Sequence, residues 1–114
     1  YVHASAEPKM AVDVIVNAKL RRTGICGAME SLLLDKNLNK QTARDILSAL
    51  LNKNTQIVGD QATQALDKRI GPATEEDWST EYLTAKLSCK FVDNVQDAVQ
   101  HINRYGSHHT ESIL

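Results

Sequence analysis

The chain has 114 residues, 42% of them hydrophobic and 24% charged, with a formal net charge of -1. That length supports one domain with a modest core. A near-neutral balance with no run of Lys or Arg argues against nucleic acid or an anionic membrane surface as a partner, and the apolar stretches are far too short to span a bilayer. No charged-then-apolar leader opens the sequence, and Cys26 and Cys89 are too far apart to form a disulfide framework, so a reduced, cytoplasmic setting is expected.

Tyr1-Val2-His3 reads as the end of a strand, and Ser5 as a helix cap with Glu7 and Pro8 in the first turn. From Lys9 to Arg21 the polar residues Lys9, Asp13, Asn17 and Arg21 fall four apart on one narrow stripe. Lys19 lies off that stripe, and Met10, Val12, Val14, Ile15, Val16, Ala18 and Leu20 make the rest apolar. Such a helix is expected to be buried around most of its circumference. Ser31-Leu32-Leu33-Leu34 is a continuous apolar run, the pattern of a parallel strand covered on both faces.

A helix is predicted from about Lys40 to Asn52, where Ala43, Ile46, Leu47, Leu50 and Leu51 keep helical spacing. Gln56–Gly59 reads as a short strand, Asp60 as the cap of a short helix ending near Lys68, and Gly71-Pro72 as a break. Glu75 to Tyr82 is polar and irregular apart from Trp78, which reads as a packing anchor. Lys86 to Val92 alternates, with Leu87, Cys89 and Phe91 on one face, so Cys89 reads as a core residue. Asn94 caps the last helix with Asp97 in its first turn; Val95, Ala98, Val99 and Ile102 form its expected buried stripe, and Gly106 its C-terminal cap. Ser112-Ile113-Leu114 reads as a strand beginning.

Strands and helices alternate throughout, which predicts an α/β fold with an open, mostly parallel sheet. Both ends fall inside expected strands, so residues 1–114 are expected to be part of a larger domain.

The chemistry centres on Cys26, in the turn Arg21-Arg22-Thr23-Gly24-Ile25-Cys26-Gly27 between an apolar helix and an apolar strand. Loops carried on rigid elements are where α/β enzymes hold nucleophiles. The thiolate is the reactive form of cysteine, and nearby Arg side chains and free N–H groups favour it. The competing reading of Cys26 is a small buried hydrophobe. Arg21 and Arg22 can bind an anionic group or simply end the helix as surface charges. His101, His108 and His109 lack a cysteine or carboxylate at ligand spacing, so no metal is expected. His101 is expected to satisfy a hydrogen bond near a helix end.

Two segments carry a resemblance. The first is Ile15-Val16-Asn17-Ala18-Lys19, Arg21 to Cys26, and Glu30-Ser31-Leu32-Leu33; the second runs through Val92-Asp93, His101-Ile102-Asn103, Tyr105-Gly106-Ser107, His109-Thr110-Glu111 and Ile113. Together they resemble the gamma-glutamyl phosphate reductases, the proline-biosynthesis branch of the aldehyde dehydrogenase superfamily. The resemblance runs from end to end, weakest between Asp35 and Pro72, and implies an open parallel sheet and a partial, nucleophile-bearing catalytic domain over residues 1–114, with the cofactor-binding domain outside this chain.

It also implies that Cys26 is the nucleophile and NADPH the hydride donor, with glutamyl phosphate as the small-molecule substrate and a parent enzyme that can be a homo-oligomer. Glu81 is placed where the superfamily binds the nicotinamide ribose, and Arg22, Ser107 and His109 are candidates for substrate or anion contacts. The sequence departs from the family at Thr23, where Pro is common, and at Gly27, where Asn is common; the second leaves open what side chain orients substrate beside Cys26. The competing readings are a hydrolytic aldehyde dehydrogenase, a non-catalytic α/β interaction domain, and a small oligomeric enzyme.

Overall fold

The computed structural model describes every residue from Tyr1 to Leu114. Helix α1 spans Pro8–Leu20, and its cap is Glu7 rather than Ser5. The Glu7 carboxylate accepts the N–H groups of Lys9 at 3.1 Å and Met10 at 2.7 Å, and Pro8 takes the first helical position, where no N–H is needed. Ser5 instead closes a local turn with the His3 ring, Oγ to Nδ1 at 2.8 Å.

Strand β1 (Ser31–Asp35) is followed by α2 (Lys40–Leu51), β2 (Gln56–Gly59), α3 (Gln61–Gln64) and β3 (Gly71–Pro72). A 3-10 helix (Glu75–Ser79), β4 (Lys86–Val92) and α4 (Val95–Tyr105) complete the order. Two boundaries differ from expectation. Helix α3 ends at Gln64, because successive turns (Leu66 N–H to Thr63 O, Ile70 N–H to Asp67 O) deliver Ile70 into the core. Gly71-Pro72 does not merely break the pattern; it forms a two-residue strand paired with Val58 and Gly59 at the sheet edge, where a proline is tolerated.

The sheet runs β1-β4-β2-β3, and every pairing is parallel. Strand β4 is central: Ser31 to Asp35 lie opposite Ser88 to Val92 on one side, and Gln56 to Gly59 opposite Lys86 to Cys89 on the other. Val2 adds a parallel bridge beside Leu34. Leu114 is hydrogen-bonded on the far side of Val2, its N–H to Tyr1 O at 2.8 Å and its carbonyl accepting His3 N–H at 2.9 Å.

Alternation along the strands fills the two faces separately. Leu32 and Leu34 of β1, with Leu87 and Cys89 of β4, pack with Ala11 and Ile15 of α1 and Ile46, Leu47 and Leu50 of α2. Leu33 and Val92 face the other way, onto Ala98 of α4. Truncating a fully buried leucine such as Leu34 to Ala would cost about 2–5 kcal/mol.

Two helices are less buried than their apolar content implies. In α1 only Ala11, Ile15 and Lys19 are fully buried, while Val14 is 40% exposed. The helix packs on one side only, and the apolar stripe opposite is left open. In α4 the buried residues are Ala98 and His101, and Val99 is 44% exposed. The stripe is turned toward His101 because Trp78 packs edge-on against that ring, with centroids 5.7 Å apart.

Candidate active site

The Cys26 turn begins where α1 ends, with the Arg21 N–H on Asn17 O at 3.1 Å, and closes where Met29 N–H returns to Ala18 O at 2.9 Å. Within it Ala28 N–H bonds Ile25 O at 3.1 Å, while the N–H groups of Cys26 and Gly27 have no acceptor in the chain. Cys26 is exposed. The turn lies at the carbonyl end of α1, so the free N–H groups of the site belong to the turn itself.

The turn opens onto a cleft of about 240 Å³ at the amino end of β1, lined by Cys26, Trp78, Glu81, His101, Ser107 and His109, among others. Four expected site residues, Cys26, Glu81, Ser107 and His109, therefore share one cleft although the chain separates them widely. Arg22 does not. It lines a separate shallow hollow with Arg21, Asn17 and Ile25. Open parallel α/β sheets usually bind ligands at the carboxyl ends of their strands, so the position of this cleft was not legible from the strand pattern.

The segment carrying Glu81 is built by its own network. Asp77 accepts the N–H of Thr74 at 2.7 Å and the Tyr82 hydroxyl at 2.6 Å. Those hydrogen bonds hold the Asp77 carboxyl below its usual range against the opposing effect of burial. Burial and the Asp77 bond push the Tyr82 phenol well above its usual range. Lys86 lies 4.9 Å over the Tyr82 ring. Glu81 itself is exposed and makes no hydrogen bond or ion pair within the chain. Its two carboxylate oxygens are thus free to accept a pair of hydroxyl donors on this side of the cleft.

The floor of the cleft is aromatic. His101 sits between Trp78 and Tyr105, whose ring centroid is 4.7 Å away. Tyr105 hydroxyl donates to Glu75, and Arg104 lies 3.6 Å from the same carboxylate, so α4 and the 3-10 helix are clasped together. His101 is 8% exposed and its Nε2 has no partner, which overturns the expectation of a satisfied hydrogen bond. Burial first, then the nearby Lys90 charge, pull its pKa below the usual histidine value. Trp78 packs as expected, against this ring.

One feature was missed by sequence reading. Lys19 is completely buried, and its Nζ lies 2.5 Å from Glu30 Oε1. The second Glu30 oxygen accepts the backbone N–H of Leu83 at 3.0 Å. Removing one partner of a buried pair typically costs about 3–5 kcal/mol. The signal was present: Lys19 stands off the polar stripe of its helix. Leu83 has φ 55°, a left-handed conformation that costs a leucine roughly 1–2 kcal/mol.

Fold and cleft together define a class: a parallel α/β unit that presents an exposed cysteine at the amino end of its sheet. The chain is 49% identical over 114 residues to the gamma-glutamyl phosphate reductase of Zymomonas mobilis, matching all of this chain and 27% of that protein. It is 44% identical to that of Rhodopseudomonas palustris, again over the whole chain and 26% of the relative. The solved gamma-glutamyl phosphate reductase of Thermotoga maritima superposes with a TM-score of 0.95 at 41% identity, over 99% of this chain and 27% of that one. No family model matches the chain. Along its whole length the chain is similar to the gamma-glutamyl phosphate reductases, and it spans about 27% of the length of such a relative.

Proposed function

We propose that this chain supplies the nucleophile-bearing part of a site that reduces L-glutamyl 5-phosphate to L-glutamate 5-semialdehyde, with NADPH as reductant. The observation that carries the reading is the meeting of Cys26, Glu81, Ser107 and His109, from three separate stretches of sequence, on one cleft.

The Cys26 sulfur, as thiolate, attacks the acyl carbon of the substrate. The bond from that carbon to the phosphate oxygen breaks, inorganic phosphate leaves, and a thioester on Cys26 remains. The unpartnered N–H groups of Cys26 and Gly27 are the donors available to the oxyanion that develops at the carbonyl. Glu81 holds the ribose of the nicotinamide nucleotide, and Ser107 and His109 contact the polar ends of the substrate. When bound, the nucleotide supplies the hydride that reduces the thioester. The carbon–sulfur bond then breaks, Cys26 departs as thiolate, and the aldehyde is released. Arg22, outside the cleft, is left as a surface charge.

The sequence holds no glycine-rich dinucleotide turn, so the 114-residue chain by itself is expected to show no turnover. The test is a hybrid in which this chain replaces the matching stretch of the Zymomonas mobilis reductase. The hybrid should oxidise glutamate 5-semialdehyde with NADP+ only when inorganic phosphate is present, and Cys26→Ser should abolish that activity. Activity that survives Cys26→Ser removes the nucleophile assignment. Activity without phosphate points to the hydrolytic reading instead.

A further inference from the structure

Glu30 faces two segments at once. One carboxylate oxygen lies 2.5 Å from the buried Lys19 ammonium on α1, and the other takes the Leu83 N–H at 3.0 Å. The first contact belongs to the base of the Cys26 turn, where Met29 N–H also returns to α1 at 2.9 Å. The second belongs to the segment that carries Glu81. The two segments approach each other elsewhere as well: a Cβ placed on Gly24 would lie 3.9 Å from the Leu83 carbonyl oxygen.

A surface glutamate would sample many rotamers, but this one is fixed by a lysine that has no other partner and no access to water. The N–H it captures sits on a residue with φ 55°. A leucine stays in that conformation only where its surroundings over-determine it. The N–H groups of its neighbours Tyr82 and Thr84 have no acceptor in the chain, so of the three residues only Leu83 has its N–H anchored.

We propose that Glu30, oriented by the buried Lys19, is a positioning residue that fixes the Glu81 segment against the Cys26 turn. The pair does not touch substrate or nucleotide. It sets the spacing between the sulfur and the carboxylate, and its bearing on catalysis rests on the roles proposed above for Cys26 and Glu81. The same arrangement gives a role to a lysine on the buried side of its helix: the charge pins the carboxylate so that its second oxygen points at Leu83.

The test is residue-resolved amide hydrogen exchange on the full 114-residue chain. In the unaltered protein the Leu83 amide should exchange at least about tenfold more slowly than those of Tyr82 and Thr84; equal rates at the three positions overturn the proposal with no mutant needed. Two neutral double variants then separate positioning from bulk stability. Lys19→Met with Glu30→Gln keeps an acceptor oxygen for Leu83, whereas Lys19→Met with Glu30→Leu does not. Leu83 should lose part of its protection in the first, where no charge pins the acceptor, and at least about tenfold more in the second, while the amides of β1 and β4 are unchanged in both. Equal Leu83 rates in the two variants, or loosening that spreads to β1 and β4, overturn it. The outcome is independent of the phosphate-dependent hybrid assay: failure there removes the functional reading, and failure here removes the tether.

Discussion

Cys26 and Cys89 occupy opposite environments in one small domain: Cys26 is exposed in the turn before β1, and Cys89 is fully buried on the central strand β4. Burial pushes the Cys89 thiol up to about 12, against a weaker opposing effect of its contact with Thr63.

Alkylation of the native protein at neutral pH should therefore modify a single thiol. Peptide mass mapping after iodoacetamide treatment is expected to find the label on Cys26 and none on Cys89, and Cys26→Ser should leave the native protein unlabelled. Cys89 should react only once denaturant unfolds the chain. Labelling of Cys89 under native conditions at a rate similar to Cys26 would contradict the packing of β4.

Two glycines are required for space rather than for backbone conformation, since neither has a positive φ. A Cβ at Gly59 would come within 2.8 Å of the Thr63 side chain and 2.9 Å of the Cys89 carbonyl oxygen. At Gly106 it would come within 2.6 Å of the Ile102 carbonyl oxygen. Gly59→Ala should destabilise the protein by about 1–3 kcal/mol, as overpacking of a tight contact does. Gly106→Ala should act similarly while also displacing the Ser107–Thr110 turn. Urea denaturation checks both, and a Gly27→Ala control, where nothing lies within 4 Å of the added carbon, should show no comparable loss.

His101 makes stability depend on pH in a definite direction. Its folded-state pKa is lowered, first by burial and then by Lys90. As pH falls below about 6.5, the unfolded histidine takes up a proton that the folded one refuses, so the unfolded state gains. Stability is full above that value and declines as pH drops toward the folded pKa. Comparing Tm at pH 7.5 and pH 5.5 should show the loss, and His101→Phe, which keeps the ring against Trp78, should reduce the slope. An identical slope in His101→Phe would rule out this histidine as its source.

Three of the four strands were legible because each is short, largely apolar and bounded, whereas the two-residue β3 was not. Ser31–Leu34, Gln56–Gly59 and Lys86–Val92 needed only period and flanking turns. Asp60 and Asn94 were legible as caps for the same local reason: each side chain accepts an N–H three residues on, from Thr63 and Asp97. Glu7 was not, because a long carboxylate that folds back over its own helix start is not among the preferred caps. The exposure of Val14 and Val99 was hidden because periodicity reports which face is apolar, and says nothing of whether another element covers it. The burial of Lys19 was signalled only by its place off the polar stripe, and the Leu83 contact depends on a partner 53 residues away, which no local window contains.

The position of β4 shapes how the molecule must be made. It lies between β1 and β2 in the sheet but follows both in sequence, pairing Ser31 with Ser88 and Gln56 with Lys86. During synthesis both earlier strands emerge from the ribosome with an unsatisfied edge, and the gap between them is closed only when residues 86–92 arrive. All pairings being parallel, no hairpin can nucleate the sheet locally. Between the appearance of β1 and that of β4 the sheet thus exists only as half-paired strands, and the insertion of residues 86–92 completes it in a single step.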